Sequence, residues 1–396
     1  MLYYQYIITA ILTAILVNFL INIILFKNIK SFSISDNILK SPPLISVLIP
    51  ARNEEENIRR CLMSLSKQDY PNFEILVLDD NSIDGTAKIV REMAKKDKRI
   101  RLINGKPLKA GWLGKCWACQ QLSEYGKGQY FIFTDADTLH FNDTITRAFA
   151  ALKNNNLDAI SVFPNQIAVT FHERMTIPFI YFAILSFMPL FLVKKTKGSF
   201  FSTGIGQFFL FKRQAYEKMG GHKVVRAEIL EDIHISKQIK KAGFRYMVFD
   251  GSSNVNCRMY RNFKEVMRGF SKFIYPAFDY NVFVEAIAML MFSIVFLLPF
   301  ILLPLGIFIF NWSGLVLTLV IVQIFLIFIV KIILAIRFRS RVLDIIFTPI
   351  SMCYMLVIAA NSYLQAKFGH GIYWKERTYR INDEDDEEID LVKENH

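Results

Sequence analysis

Long apolar stretches constrain the fold of this chain more than any other feature of its sequence. Residues Tyr3–Phe26 contain no charged side chain, and Val282–Phe310 and Gly314–Ile336 are almost as apolar. A helix of about 20 apolar residues is long enough to cross the hydrocarbon core of a bilayer. The sequence therefore predicts a membrane protein, with an anchor at residues 1–27 and a C-terminal membrane region at residues 282–366.

Charged residues beside the first stretch predict its orientation. Lys27, Lys30 and Lys40 follow it, and such lysines are typical of the cytoplasmic side of a membrane helix. The stretch lacks the charged start and the small-residue cleavage site of a signal peptide, so we expect it to be retained as an anchor. The segment that follows it is then expected to be cytoplasmic.

Two further apolar segments are expected to contact the membrane without crossing it. Residues 175–193 contain Pro178 and Pro189, and a crossing there would separate two parts of one soluble domain, so we expect a helix at the membrane interface. If residues 343–366 crossed, the basic segment 367–380 would lie outside, against the usual charge bias. We therefore expect a re-entrant hairpin there, with a spanning helix as the alternative.

Charge is unevenly distributed along the chain. The formal net charge is +12, although the last fifteen residues hold eight carboxylates and one lysine, so the remainder is more basic still. A basic body suits phosphate-bearing substrates or an anionic membrane surface. We find no nucleic-acid-binding motif and expect no nucleic-acid partner. The C-terminal segment, residues 367–396, is expected to be cytoplasmic and to end in a disordered acidic tail.

Residues 44–272 show the pattern of an α/β domain. Short runs rich in β-branched or aromatic residues predict strands at Ile45–Pro50, Phe73–Leu78, Ile100–Ile103 and Tyr130–Phe133. Helix-like segments separate these runs. The alternation predicts a mostly parallel sheet covered by helices.

Acidic residues recur where the predicted strands end. Glu54 follows the first strand, Asp80 the second, and Asp135 and Asp137 the fourth. Ligands of open α/β sheets bind at the carboxyl ends of the strands, and paired carboxylates there suit a divalent cation that carries substrate phosphates. A turn or a helix cap would explain one such cluster. Three clusters at one sheet edge predict a site.

These segments resemble the nucleotide-binding half of the family-2 glycosyltransferases. The resemblance rests on Val47–Glu54, Asp79–Thr86 and Thr134–Asp137, and it extends over residues 44–272. It implies an α/β fold of the GT-A (Rossmann-like) class, flanked here by transmembrane helices. It also implies an inverting transferase that uses a nucleotide-diphosphate sugar.

The same resemblance implies roles for individual residues. Asp80 is expected to accept a hydrogen bond from uracil, Asp135 to lie near the ribose, and Asp137 to bind Mn²⁺ or Mg²⁺ as the cofactor. The metal would neutralise the leaving diphosphate. The residues expected against the nucleoside are Pro50, Ala51, Arg52 and Glu54.

Three more residues belong to the predicted site. Lys115, in a glycine-containing segment, is expected to offer its charge to a phosphate or sugar, with a basic surface loop as the alternative. Glu231 and Asp232 match an acidic pair of the family whose aspartate is the catalytic base, and an inverting transfer needs such a proton acceptor. Because Asp232 lies at a predicted helix start, we expect it to be charged near neutral pH; a helix cap is the alternative.

A basic, aromatic segment at residues 258–272 precedes the membrane region. Processive polysaccharide synthases carry Gln-x-x-Arg-Trp at the equivalent place. Arg268 matches that arginine and is counted with the donor-binding residues, but Glu265 and Gly269 replace the glutamine and the tryptophan. The departure favours similarity to carotenoid and hopanoid-associated glycosyltransferases, and Trp374–Tyr379 looks like their terminal Trp-Lys-x-Arg-x-Tyr.

The sequence thus predicts transfer of a sugar, expected to be glucose, from a UDP-sugar to a lipid acceptor in the membrane, such as a carotenoid acid. One alternative is a processive synthase that exports its polymer. Another is a transporter with a degenerate nucleotide-sugar domain, although Glu285 and Lys331 are nearly the only charges in the predicted spans. The sequence leaves the acceptor, the sugar and the oligomeric state open.

Overall fold

The computed structural model describes residues 1–34, 40–196, 198–368, 372–375, 377–381 and 389–394. The chain divides into two compact units. We call them the helical unit, residues 1–25, 168–190 and 260–369, and the sheet unit, residues 26–167, 191–259 and 370–396. Glu376 of the terminal motif and residues 382–388 and 395–396 of the acidic tail lie outside the described residues.

The sheet unit is built on an eight-stranded mixed sheet. Its strands are β1 (Ile45–Ala51), β2 (Phe73–Asp79), β3 (Ile100–Asn104), β4 (Tyr130–Thr134), β5 (Thr138–His140), β6 (Ala159–Gln166), β7 (Phe208–Lys212) and β8 (Tyr246–Cys257). Their order in space is β3-β2-β1-β4-β7-β6-β8-β5. All four strands predicted from the sequence are confirmed.

Strand direction departs from the prediction in the second half of the sheet. The pairs β3-β2, β2-β1 and β1-β4 are parallel, as is β6-β8. However, β7 is antiparallel to β4 and β6, and β5 is antiparallel to β8. The prediction of a mostly parallel sheet is therefore wrong beyond β4, because β7 enters between β4 and β6 in the opposite direction.

Apolar side chains on both faces hold the central strands in place. Val47, Leu48 and Ile49 of β1 are fully buried, and every residue of β4 is buried. Burying one such side chain stabilises the fold by roughly 1.5–3 kcal/mol. The helices of this unit in chain order are α2 (Ile58–Ser66), α3 (Thr86–Lys96), α4 (Gly114–Tyr125), α5 (Thr144–Asn154), α9 (Arg213–Lys218) and α10 (Glu231–Lys241).

A second, three-stranded antiparallel sheet is formed by the C-terminal segment of the sheet unit. It consists of β9 (Ile372–Trp374), β10 (Arg377–Ile381) and β11 (Ile389–Glu394), with β10 in the middle. β11 comes from the acidic end of the chain. The expectation of a disordered tail is therefore wrong for residues 389–394, because their backbone pairs with β10.

Among the described residues, the helical unit contains four helices that are long and apolar enough to cross a membrane: Leu2–Leu25, Val282–Phe308, Gly314–Arg337 and Val342–Phe368. The first is α1; the second comprises α13 (Val282–Phe292), a π-helical turn and α14 (Leu298–Phe308); the third is α15. The fourth is a 3₁₀ segment followed by α16 (Thr348–Phe368). The shorter helices are α6 (Phe171–Thr176), α7 (Phe179–Phe187), α11 (Phe263–Ser271) and α12 (Ile274–Ala277), and α8 (Leu190–Lys195) begins at the end of this unit.

Proline explains both departures in this unit. The single helix expected at residues 175–193 is instead α6, α7 and α8, because Pro178 caps the start of α7 and Pro189 separates α7 from α8. The hairpin expected at residues 343–366 is wrong as well, since α16 is one continuous helix. Pro349 is its second residue, a position where the missing N–H costs no helical hydrogen bond.

Candidate active site

Three acidic loops meet at one edge of the main sheet. β1 pairs in parallel with β2 on one side and with β4 on the other, so the three strands end at the same edge. Glu54, Asp80, Asp135 and Asp137 follow these strand ends directly. Asp135 and Glu54 also lie close enough to Asp137 for their negative charges to raise its pKa. The structure therefore brings together the carboxylates that the sequence placed on separate strands.

Lys115 links this acidic edge to the start of α10. Its ammonium lies 2.9 Å from Asp135 Oδ1 and 2.9 Å from Glu231 Oε1. Burial acts to lower the pKa of Lys115, but the two carboxylates outweigh burial and hold it well above its usual value. The lysine therefore stays charged. It links Asp135 to Glu231, the neighbour of the predicted base Asp232.

Glycine at position 206 allows this bridge to form. A Cβ atom there would lie 2.9 Å from Lys115 Nζ and 3.3 Å from Glu231 Oε1. The Gly206 N–H donates to Asp232 Oδ2 at 3.1 Å. A small cavity in the same place is lined by Pro50, Phe133 and the charged groups already named. The sequence analysis did not predict this close approach, although the run of small residues Ser202–Gly206 could have indicated it.

Asp232 is a half-buried carboxylate with a raised pKa. Its Oδ1 accepts the N–H of Ile233 at 2.8 Å, while the N-cap of α10 is Leu230, so Asp232 is not the capping residue. Burial, followed by the charge of Glu231, raises its pKa to about 7, against the opposing effects of Lys115 and two backbone N–H groups. The expectation that the helix start keeps Asp232 fully charged near neutral pH is therefore wrong.

Asp137 fits a divalent cation. Its Oδ1 is buried and has no hydrogen-bond partner among the described residues, and burial together with Asp135 and Glu54 raises its pKa to about 7. The described residues contain no cluster of three or more metal-ligating side chains. Mg²⁺ is commonly held by one or two carboxylates, water and substrate phosphates. The Asp137 carboxylate, with its unpartnered Oδ1, suits that mode of binding.

The loop after β1 is tied to the loop after β2. Arg52 is 4% exposed and donates through Nη1 to the backbone oxygens of Asp80 and Asn81, at 2.8 and 3.2 Å. The N–H of Asp80 donates to the oxygen of Ala51 at 2.8 Å. Arg52 and Ala51 thus shape the predicted nucleoside loop mainly through their hydrogen bonds to the backbone of Asp80 and Asn81.

Two cations at this edge come from the far end of the chain. Arg377 donates to both carboxylate oxygens of Asp80, at 2.5 and 3.2 Å, and Lys375 Nζ lies 2.8 Å from Glu54 Oε1. Arg52 Nε donates to the backbone oxygen of Lys375 at 2.9 Å. Sequence reasoning noted the terminal motif that contains both cations but gave it no place in the site.

Arg268, the remaining predicted site residue, lies on α11 in the helical unit. Its role as a donor-binding residue stays a prediction. Its neighbour Gly269 is closely packed, because a Cβ atom there would meet the Tyr260 ring at 2.2 Å. A tryptophan cannot replace Gly269 without moving Tyr260.

A mixed sheet with acidic strand ends on one edge is the arrangement of the GT-A glycosyltransferase fold. The mannosyltransferase PcManGT from Pyrobaculum calidifontis, solved with GDP-Man and Mn²⁺, is similar over 91% of this chain and 99% of that chain. The TM-score is 0.50 at 18% sequence identity. The likeness confirms the predicted GT-A fold class.

The sequence comparisons find similarity to one family of enzymes. Residues 46–220 match the model of glycosyl transferase family 2. The chain is 30% identical over 233 residues to a 4,4'-diaponeurosporenoate glycosyltransferase of Staphylococcus haemolyticus (strain JCSC1435), and 26% identical over 234 residues to one of Staphylococcus aureus (strain USA300). Each match covers 58% of this chain and 60% of the relative's length.

Proposed function

We propose that this protein is a membrane-bound inverting glycosyltransferase that moves a sugar, glucose in our proposal, from a UDP-sugar to a lipid acceptor. The observation that carries the proposal is the bridge from Asp135 through Lys115 to Glu231, which sets Asp232 beside the metal-type carboxylates. A transferase of this kind needs a cation-binding group for the leaving diphosphate and a base for the acceptor. The sheet edge offers both.

The donor is proposed to bind over the loops after β1 and β2. In this proposal Pro50, Ala51, Arg52 and Glu54 border the nucleoside, Asp80 is its hydrogen-bond acceptor, and Asp135 lies near the ribose. Asp137 would hold Mn²⁺ or Mg²⁺, which when bound neutralises the leaving diphosphate. The similar mannosyltransferase was solved with Mn²⁺ and a GDP-sugar, so the choice between UDP and GDP has to be measured.

Asp232 is proposed to take the acceptor proton. The acceptor oxygen forms a bond to the anomeric carbon as the bond from that carbon to the diphosphate oxygen breaks, and the proton passes to the ionised Asp232 carboxylate. Hydrogen bonds from the N–H groups of Gly206 and Ile233 keep that carboxylate in place. Lys115 neutralises Glu231 and so lets Asp232 ionise beside it.

A lipid acceptor is supported by the membrane helices and by the names of the relatives. Four helices are long and apolar enough to span, and the matched relatives are named for a carotenoid acid, 4,4'-diaponeurosporenoate. A processive synthase is less well supported, because Gly269 stands where those enzymes carry a tryptophan and the space beside it is filled by Tyr260.

We propose that the sheet unit lies in the cytoplasm. The order of the elements along the chain then limits which helices can cross the membrane. Three candidate spans lie between β8 and β9, yet both strands belong to the sheet unit and Arg377 contacts Asp80. The chain must therefore cross an even number of times in between. We propose that α16 does not cross, because Arg337, Arg339 and Arg341 before it and the basic segment 367–380 after it both favour the cytoplasmic side.

Lipid profiling with labelled donors tests this function. Membranes from a host with and without the chain are incubated with UDP-glucose, UDP-galactose, UDP-N-acetylglucosamine or GDP-mannose, and new lipids are identified by mass. We expect one new glycolipid, made from UDP-glucose, which is lost when the host carries the Asp232→Asn chain. A polymeric product would favour a synthase, and donor binding without turnover would favour a sensor or transporter.

A further inference from the structure

The C-terminal segment Ile372–Ile381 brings to the nucleotide edge two cations that the proposed reaction does not use. Lys375 Nζ lies 2.8 Å from Glu54 Oε1 and donates to the backbone oxygen of Asn53 at 3.1 Å. Two residues further on, the Arg377 guanidinium pairs with Asp80, and the two side chains are 1% and 3% exposed. Both cations therefore lie on residues that are expected to border the nucleoside.

The buried Arg377–Asp80 pair makes it unfavourable for the C-terminal segment to leave the site when the donor binds. Separating a buried ion pair is costly, because each charge then lacks compensation. A donor that had to expel Arg377 would lose affinity by a factor on the order of 10²–10³. The segment is also fixed through its backbone, since Arg52 Nε donates to the oxygen of Lys375. These contacts favour a segment that stays in place when the donor binds.

Lys375 differs from Arg377 in its exposure. Its side chain is 33% exposed, and its described contacts with Glu54 and Asn53 use two of the three protons of the ammonium. A partly exposed cation on the loop that is expected to border the nucleoside is well placed for the anionic part of a nucleotide diphosphate.

We propose that Lys375 is a donor-binding residue that contacts the diphosphate of the nucleotide sugar, and that Arg377 is a positioning residue that orients Asp80 for the base. The inference rests on the proposed function, because it requires a nucleotide donor at this edge. It makes the C-terminal segment a part of the donor site, completed by residues more than 300 positions away from Glu54 and Asn53 in the chain.

Nucleotide titrations on the full chain in nanodiscs test the role of Lys375. UDP binding is measured by calorimetry with Mn²⁺ for wild type, Lys375→Met and the exposed control Lys218→Met. Loss of a charge-assisted contact should raise the Kd of UDP about ten-fold or more in Lys375→Met and leave the control unchanged. Unchanged or tighter binding in Lys375→Met would overturn the inference; tighter binding would show that the segment competes with the donor.

Wild-type binding separates this inference from the proposed function. If wild type binds neither UDP nor GDP, the proposed function fails and this inference fails with it. If wild type binds UDP and Lys375→Met binds it equally well, only the present inference fails. The two outcomes are therefore distinguishable in one experiment.

The role of Arg377 is tested with uridine, which has no phosphate. Lysine keeps the charge but lacks the two-pronged guanidinium, so Arg377→Lys should weaken uridine and UDP by the same factor. Lys375→Met should weaken UDP and leave uridine unchanged, measured by competition. Melting temperatures confirm that each variant is folded. Equal uridine affinity in Arg377→Lys and wild type would overturn the positioning role.

Discussion

The edge of the main sheet and the contact between α1 and α15 in the helical unit hold their polar groups by different means. At the sheet edge the contacts are charged, as in the partly exposed Lys115 bridge and the buried Arg377–Asp80 pair. In the helical unit α1 and α15 are joined by neutral amides. Gln323 Nε2 donates to Gln5 Oε1 at 2.8 Å, to the Gln5 backbone oxygen at 3.1 Å and to Thr9 Oγ1 at 3.1 Å.

The difference indicates where the chemistry lies. A buried ion pair is often no more stabilising than an apolar pair of the same volume, so stability alone does not explain why the sheet edge holds so many charges. A neutral amide network is sufficient to hold two helices together in an apolar setting. We infer that the charges of the sheet edge are kept for binding and proton transfer, and the amides of the helical unit for packing.

The largest effect is expected from Asp137, whose Oδ1 has no hydrogen-bond partner among the described residues. Asp137→Asn should abolish turnover, because a neutral amide is a much poorer ligand for a hard divalent cation. Excess chelator should abolish turnover of the wild type as well. The exposed Asp279→Asn in the helical unit is the control and should keep wild-type turnover. Full activity in chelator would contradict the metal site.

The Arg377–Asp80 pair should give the next largest effect, on stability. Arg377→Met removes the cation that pairs with the buried Asp80, which we expect to cost about 3–5 kcal/mol. The double change Asp80→Leu with Arg377→Met should recover most of that loss, since neither charge remains. Melting temperatures in detergent measure both, with the exposed Arg91→Met as the control. A single variant as stable as wild type would show that the pair is not buried in solution.

The pH profile of turnover should follow the raised pKa of Asp232. Burial and Glu231 raise that pKa to about 7, and only the ionised carboxylate accepts a proton. The active fraction is therefore small below the pKa, and kcat should fall about ten-fold per pH unit below pH 7 and level off above pH 8. Rates with saturating donor and a hydroxyl acceptor measure this. A flat profile from pH 5.5 to 8 would contradict the assignment.

The smallest effect is expected from the amide network of the helical unit. Gln323→Leu removes the contacts of one amide group, which has two protons to donate, and hydrogen bonds between membrane helices contribute only about 0.6 kcal/mol on average. The melting temperature should fall slightly, and turnover should stay near wild type. A loss as large as that of Arg377→Met would remove the contrast between the two units.

The sequence predicted the elements that depend on neighbouring residues. The first four strands and the acidic residues at their ends could be predicted because apolar runs and the loops after them are local patterns. Arg377 could not be assigned to Asp80, because the two are separated by 297 positions and no local pattern links them.

The remaining errors also have physical causes. The helix start favoured an ionised Asp232, but burial and Glu231 are the larger effects and depend on the folded surroundings. The hairpin at residues 343–366 was expected from the basic segment that follows it, but the structure has one continuous helix, Thr348–Phe368. The antiparallel direction of β7 could not be predicted from the sequence, because strand direction depends on how distant segments pair.

The most direct test of the account is the turnover of Asp232→Asn on a hydroxyl acceptor. If Asp232 is the base, kcat should fall about 10²–10⁴-fold while the Kd of UDP stays near wild type. A carboxylic-acid acceptor arrives already deprotonated, so the loss with that acceptor should be much smaller. Near wild-type kcat on the hydroxyl acceptor would contradict the claim that the carboxylates of the sheet edge carry the transfer.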